Sequence, residues 1–305
     1  MYTFIVNPHS RSGLGQTLWN VVEDTLKKRY VPYTVFFTQY QKHATSYVKK
    51  FTSDGKEHTL IVLGGDGTIN EVINGIVYLD KITLGYIPTG SSNDFARSFN
   101  IPSDPLKALD TILSPSVYSY MDVGRIIYNN KSRRFAVSTG IGFDAAICHE
   151  AVVSKLKRIL NKIKLGKFTY ALIAIHRIIL ATSCSASLQI DEQQPVTFDN
   201  AWFATVMNHP FEGGGLKFCP RAVADDGWLD VIIVSGSSKL KVLCILPFAF
   251  IGKHTAFKEI HTYRCQRADI AFSRPLPVHT DGEPIFLQHH FKAMMESDRL
   301  KVIIK

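Results

Sequence analysis

The sequence predicts an α/β plus β protein: an N-terminal doubly wound, mostly parallel sheet, then a C-terminal antiparallel β-sandwich domain, with a cleft between them. Three observations carry this reading. From Tyr2 to Ile87, apolar strand-like runs alternate with amphipathic segments of helical length. From about Tyr118 the texture changes to short β-branched runs separated by turns. Two turns rich in glycine and hydroxyls follow neighbouring strand runs of the first half. Alternation of this kind gives a parallel sheet covered by helices, whereas short, closely spaced runs pair antiparallel.

Taken in order, the pattern predicts strands over 2–6, 33–37, 59–63 and 82–87, with helices near 15–29, 43–52 and 69–78 between them. The second half predicts strands within 120–128, 134–138, 185–190, 201–207, 229–234 and 268–272, and a basic helical insertion around 150–181. The change of texture sets a domain boundary at 122/123, giving a nucleotide-binding domain over 1–122 and a β-rich substrate domain over 123–289. No Gly/Ser linker separates the halves, which predicts close packing across the cleft.

With 305 residues the chain is long enough for two modest cores. Its formal charge of +9 implies an anionic partner, whether nucleotide, acidic bilayer or nucleic acid. The absence of an RNA-binding aromatic signature or zinc-finger spacing argues against nucleic acid. Lys155, Lys157, Arg158, Lys162, Lys164 and Lys167 form a basic block before a mostly apolar stretch, 168–180. That segment reads either as an interfacial helix or as a solvated face followed by a core helix. A second apolar run, 240–252, is divided by Pro247 and suits a buried or lipid-facing position rather than a membrane span. The five cysteines are dispersed and odd in number, which fits a reducing cytosol, and the amino terminus opens directly on a strand pattern without a secretory leader. The expected location is therefore cytoplasmic, with at most peripheral membrane contact.

The chemistry concentrates in Leu63-Gly64-Gly65-Asp66-Gly67-Thr68-Ile69-Asn70-Glu71, where an apolar strand runs into glycines, one carboxylate and a helix start. Glycines let backbone amides approach a phosphate, and the helix terminus adds partial positive charge. Thr68 with Glu71 also spells a capping box, which needs no ligand. Asp66 is harder to explain as mere turn chemistry, since a carboxylate beside a phosphate calls for a metal ion or a hydroxyl between them. The second turn, Gly90-Ser91-Ser92-Asn93-Asp94, offers hydroxyls for phosphate, Asn93 for base or ribose, and Asp94 as a helix cap. Both turns fall at the carboxyl ends of strands, where open α/β sheets bind ligands.

These motifs, taken in order with Asn7-Pro8, Ser12-Gly13, Gly140-Ile141-Gly142-Phe143-Asp144, Asp226-Gly227-Trp228-Leu229-Asp230 and Asp281-Gly282-Glu283, resemble the diacylglycerol kinase catalytic domain family of soluble bacterial lipid kinases, related to sphingosine and ceramide kinases. The resemblance spans nearly the whole chain. It implies ATP-dependent phosphorylation of the hydroxyl of diacylglycerol or a related lipid alcohol, with ATP and Mg²⁺ as cofactors and peripheral contact with anionic lipid. It also implies a final strand, about 290–305, returning to the first domain, and a monomer or homodimer.

Phosphoryl transfer needs a phosphate cradle, Mg²⁺ and a carboxylate that deprotonates the acceptor. Gly64, Gly65, Gly67 and Thr68 supply the cradle, and Asp66 is the candidate for holding Mg²⁺, directly or through water. Asn70 and Asn93 join the expected nucleotide contacts. The resemblance adds Thr38 and Ser91 at nucleotide-contact positions, Lys167 and Arg11 near substrate phosphate or headgroup, and a structural Mg²⁺ held by the Asp226 carboxylate with the Val223 and Trp228 carbonyls. An ordinary acidic turn explains Asp226 equally well. The first loop lacks a lysine directly after Ser12-Gly13, unlike some relatives. The base lies in Thr280-Asp281-Gly282-Glu283, where the family pattern favours Glu283 and Asp281 competes. Two other functions stay open: an NAD kinase, which shares G-G-D-G-T, and a non-catalytic peripheral membrane lipid-binding protein.

Overall fold

In the computed structural model, residues 1–153, 178 and 180–305 are described. The insertion around 150–181, with its basic block and Lys167, therefore falls almost wholly outside the described residues.

The first sheet has the strand order β2-β1-β3-β4-β16-β5, formed by β1 (Tyr2–Val6), β2 (Tyr33–Phe37), β3 (His58–Gly64), β4 (Ile82–Pro88), β5 (Tyr118–Met121) and β16 (Leu300–Ile303). All neighbours run parallel except β16 and β5. Successive strand side chains point to opposite faces, so each strand feeds two cores. Phe4, Val6, Ile61 and Leu63 pack with Trp19, Val22 and Leu26 of α1 (Ser10–Lys28) and with Leu109 and Ile112 of α5 (Pro105–Leu113). Ile5, Leu60 and Val62 face the other way, onto Ala44 and Val48 of α2 (His43–Phe51) and Ile69, Val72 and Ile73 of α3 (Asp66–Gly75). Continuous apolar strands are the mark of a sheet covered on both sides.

The predicted 120–128 run divides. The chain leaves the first sheet after Met121 and enters the second at β6 (Gly124–Tyr128). The second sheet has ten antiparallel strands, among them β7 (Lys131–Phe135), β8 (Ser138–Gly142), β11 (Phe203–Met207), β12 (Leu229–Val234), β14 (Arg267–Thr280) and β15 (Glu283–Met295). β14 is long because one end pairs with β9 (Cys184–Ile190) and the other with β8, its register with β15 slipping between Ala271 and Val278. That irregularity bends the sheet over a single core that includes Ile141, Leu188, Val206, Val231, Ile270 and Phe291. β15 stays in this sheet to Met295, so the part of 290–305 found in the first sheet is β16 alone. A further core lies where α6 (Phe143–Val153) and α7 (Lys239–Ala249) meet the face formed by Phe203, Ile232 and Val234.

The halves are joined tightly beside the cleft. Arg134 of β7 donates to the Ile73 and Ile76 carbonyls at the end of α3 and to Glu296. The Asn74 side chain is bonded to the Arg134 backbone in both directions, at 2.9 and 3.0 Å. Among the described residues, no helix is long and apolar enough to cross a membrane.

Candidate active site

A cleft of about 570 Å³ opens between the carboxyl ends of β1, β3 and β4 and the hairpin joining β14 to β15. Its first wall is the two glycine turns, which touch backbone to backbone. A Cβ on Gly65 would lie 3.2 Å from the Gly90 Cα, and the Thr89 amide donates to the Gly64 carbonyl at 2.7 Å. Any side chain on either glycine would force the turns apart. Asn7 donates to the Thr68 hydroxyl at 3.1 Å, tying the first loop to the glycine loop, and buried Ser10 and Thr89 share a 2.7 Å hydrogen bond. Thr38 is buried at the cleft margin, where its amide continues β2 onto the Val6 carbonyl. Ser91 and Arg11 line the same cleft, and Arg11 holds a left-handed φ of 47°, uncommon outside glycine.

Two local expectations are corrected. Helix α3 begins at Asp66 with Gly65 as its cap, so Thr68 sits inside the first turn and no capping box forms. Glu71 instead accepts from the Lys42 and Ala44 amides, capping α2. Likewise Asp94 does not cap α4 (Asp94–Ser98). The Asp66 carboxylate accepts from the Asp94 and Phe95 amides at 3.2 and 3.3 Å, while Asp94 receives Arg97 at 2.5 Å and the Gly214 amide at 2.8 Å. The first glycine turn and its helix thus cap two other helices, α4 through Asp66 and α2 through Glu71. Burial pushes the Asp66 pKa up to about 7, with the Asp94 charge adding to it, and burial raises Asp94 as well.

Both asparagines expected at the nucleotide are engaged elsewhere. Asn93, at φ 53°, accepts from the Gly90 amide at 2.9 Å and returns a bond to its carbonyl, holding the turn. Asn70 is buried, donates to Asp281 at 2.7 Å and receives Arg133 at 2.7 Å, so it bridges the halves.

The opposite wall separates the two rival carboxylates. Asp281, at φ 50°, accepts four hydrogen bonds: from Asn70 and the amides of Ala136, Val137 and Ser138, at 2.7 to 3.0 Å. Glu283 accepts only a 3.4 Å bond from Gln41 and reaches the glycine loop, where a Cβ on Gly67 would lie 2.6 Å from its Oε1. Burial raises the Glu283 pKa, opposed by Arg133 and reinforced by Glu71.

Behind this wall lies a group that the motif reading left without a role. Asp144 Oδ2 is 2.8 Å from His279 Nε2 and accepts from Thr205 at 3.1 Å. Buried Glu212 accepts from Ser138 at 2.7 Å, stands 3.4 Å from the same imidazole nitrogen, and leaves its Oε2 without a partner. Burial and the Asp144 charge push Glu212 up to about 8. Burial alone would lower His279, but Asp144 and Glu212 lift it to about 9. Against this, the Gly282 amide donates to Nδ1 at 3.1 Å, which needs the lone pair there and favours the neutral ring protonated on Nε2. Asp144 also borders an apolar cavity of about 70 Å³ beneath α7, lined by Phe143, Phe203, Leu246 and Ile245. Asp144 stands in a quoted motif and His279 precedes the Asp-Gly-Glu triplet by one residue, but only the β8–β14 pairing unites them.

The expected structural cation site is differently filled. The Arg264 guanidinium pairs with the Asp226 carboxylate, which also accepts from the Trp228 amide at 3.0 Å. Val223 and Trp228 are exposed beside it. A carboxylate already neutralised by guanidinium does not suit a divalent cation, and none is assigned there.

Comparison with known proteins agrees with this architecture. Residues 1–126 match the model of the diacylglycerol kinase catalytic domain, and residues 137–294 match that of the YegS C-terminal NAD kinase beta sandwich-like domain. The Bacillus subtilis YtlR protein, to which a lipid-kinase role is ascribed, is 31% identical over 294 residues, covering 92% of each chain. The chain belongs to the diacylglycerol kinase catalytic domain family. It is therefore a kinase of the lipid-kinase type. A Bacillus subtilis diacylglycerol kinase is 30% identical over 79% of this chain and 78% of its own. A Bacillus anthracis structure solved as a candidate diacylglycerol kinase superposes with a TM-score of 0.77 at 25% identity, covering 100% of this chain and 97% of the other. An NAD kinase from Archaeoglobus fulgidus shares the fold alone, at a TM-score of 0.50 and 10% identity.

Proposed function

We propose that this protein transfers the γ-phosphoryl group of ATP to the hydroxyl of diacylglycerol or a related lipid alcohol, with Glu283 as the general base. The observation that carries this reading is the contrast across the hairpin. Asp281 has its acceptor positions taken by four donors, whereas Glu283 stands against the glycine loop with a raised pKa and little to hold it. A base of raised pKa in reach of the phosphate-binding backbone suits abstraction of a hydroxyl proton at neutral pH.

In this reading the amides of the Gly64–Thr68 turn and the start of α3 receive the phosphates, with Thr38, Ser91 and Arg11 at the margins. Asp66, whose carboxylate meets no cationic side chain among the described residues, would hold Mg²⁺ directly or through water. Burial, with the Asp94 charge adding to it, raises the Asp66 pKa, and a bound divalent cation would relieve that cost. When bound, the ion would neutralise charge on the transferring phosphoryl group. The apolar cavity bordered by Asp144 supports a lipid acceptor over NAD.

The test is phosphate transfer from labelled ATP to diacylglycerol, monoacylglycerol, sphingosine, undecaprenol and NAD. One lipid should be labelled, and Glu283→Gln should abolish the labelling while leaving the melting temperature within a few degrees. Full activity in Glu283→Gln would remove its role as base. Labelling of NAD would move the protein to the other kinase reading, and vesicle binding without any transfer would favour a non-catalytic binder.

A further inference from the structure

Helix α7 is apolar on both sides. Its inner side, Val242, Ile245 and Ala249, is buried against the second half. Its outer side carries Leu240, Cys244 and Phe248, and the turn that follows adds Phe250 and Ile251; Leu240 is 71% exposed, Phe250 59% and Ile251 61%. The spacing 240, 244, 248, 251 is one helical face. Soluble surfaces seldom leave such a stripe bare without a partner for it.

The charge around the stripe names the partner. From Val231 to Lys258 the chain contains no acidic residue and four lysines: Lys239, Lys241, Lys253 and Lys258. Glu259, the first carboxylate beyond, is buried and paired with Lys241. The Lys217 stem lies beside Gly252, adding a fifth cation at the carboxyl end of the helix. An exposed apolar face flanked by lysines is the pattern of a helix lying in a bilayer interface, where lysines meet lipid phosphates and aromatic side chains enter the acyl boundary. A second copy of the chain would bring the same lysines together, which like-charge repulsion opposes. With 11 residues, α7 is too short to span.

We propose that the outer face of α7 and its following turn, centred on Leu240, Phe248, Phe250 and Ile251, docks this protein onto bilayers containing anionic lipid. The proposal deepens the lipid-kinase reading, in which the acceptor is a membrane lipid, but is measured without catalysis. The apolar cavity beneath α7 would then lie close to the bilayer.

The test is co-sedimentation with vesicles of phosphatidylcholine alone or mixed with phosphatidylglycerol, comparing wild type with Phe250→Ser/Ile251→Ser and with Lys253→Gln/Lys258→Gln. The wild type should bind the anionic vesicles and weaken with added salt. The apolar double variant should lose about tenfold or more in affinity, from the lost burial of two side chains. The lysine variant should lose about fivefold for each lysine, mostly at low salt. All of these residues are exposed, so melting temperatures should be unchanged. Wild-type affinity in the apolar variant would overturn the proposal, as would a concentration-dependent dimer, seen by size exclusion without lipid, that the same variant abolishes. Phosphate transfer to lipid in detergent micelles separates the readings: its absence in every form sinks the kinase assignment and leaves the docking result standing.

Discussion

Asp66 and Asp281 face one cleft from opposite sheets and receive opposite treatment. Asp281 is met by four donors at 2.7 to 3.0 Å, three of them consecutive amides of the 136–138 segment. Asp66 is met by two amides at 3.2 and 3.3 Å, which do not offset its burial and the charge of Asp94, so its pKa climbs to about 7. A fully bonded carboxylate is a fastener. One that is buried, under-bonded and next to another carboxylate suits the cation proposed for it. Residue type and motif context are the same kind of signal for both, and only their partners tell them apart.

The largest expected effect tests the fastener. Asp281→Ala strips the acceptor from three amides of the 136–138 segment and from Asn70, the bond that crosses to the first half. Urea denaturation should show a loss of about 3 kcal/mol or more, counting roughly 1 kcal/mol for each partly buried donor left unpaired. A loss below about 1 kcal/mol would mean that water replaces the carboxylate without cost and that the contrast is false.

Asp66→Asn should do the reverse: activity falls at least about a hundredfold, as for loss of a group that organises charge in a transition state, while stability holds or rises. The sign follows from linkage. A carboxylate whose folded pKa is above its unfolded value contributes stability that is full below the unfolded pKa, near 4, and is lost as pH rises through about 7. Measured in a chelator, the wild-type melting temperature should therefore fall between pH 5 and pH 8 more steeply than that of Asp66→Asn. Parallel curves would show that Asp66 does not titrate as its surroundings dictate. Magnesium should recover more of the wild-type loss at the alkaline end than at the acid end.

The smallest effect concerns their neighbour. Asp94→Asn removes one source of the Asp66 shift, so the fall in melting temperature should be smaller and end at lower pH, at a stability cost of about 1 kcal/mol from the weakened Arg97 and Gly214 contacts. An unmoved profile would assign the whole shift to burial.

The parallel half was legible because its strands are buried on both faces and its helices recur at regular spacing, so local pattern and global layout agree. The caps that Asp66 and Glu71 supply to α4 and α2 were not legible, since each satisfies amides of a different segment, 28 or 29 positions away. The split of the 120–128 run into two sheets left no mark in hydrophobicity. Asp144, His279 and Glu212 converge only because β8 lies beside β14, and Arg264 reaches Asp226 from β13 (Ile260–Cys265), which pairs with β12. Motif order found the cleft; pairings distant in sequence decide what each carboxylate in it does.

Strand β16 sits between β4 and β5, pairing parallel with one and antiparallel with the other. Until residues 300–303 are in place, β4 and β5 are separated by an open slot, with Leu84 and Met121 uncovered where Leu300 and Val302 belong. During synthesis the glycine-turn half cannot close until residues 300–303 emerge, and until then it presents two unpaired strand edges, the feature that invites aggregation. Removing the residues after Glu296 should damage the glycine-turn half rather than the sheet from which they emerge, so a deletion of a few residues distant in sequence would be felt first at the glycine turns.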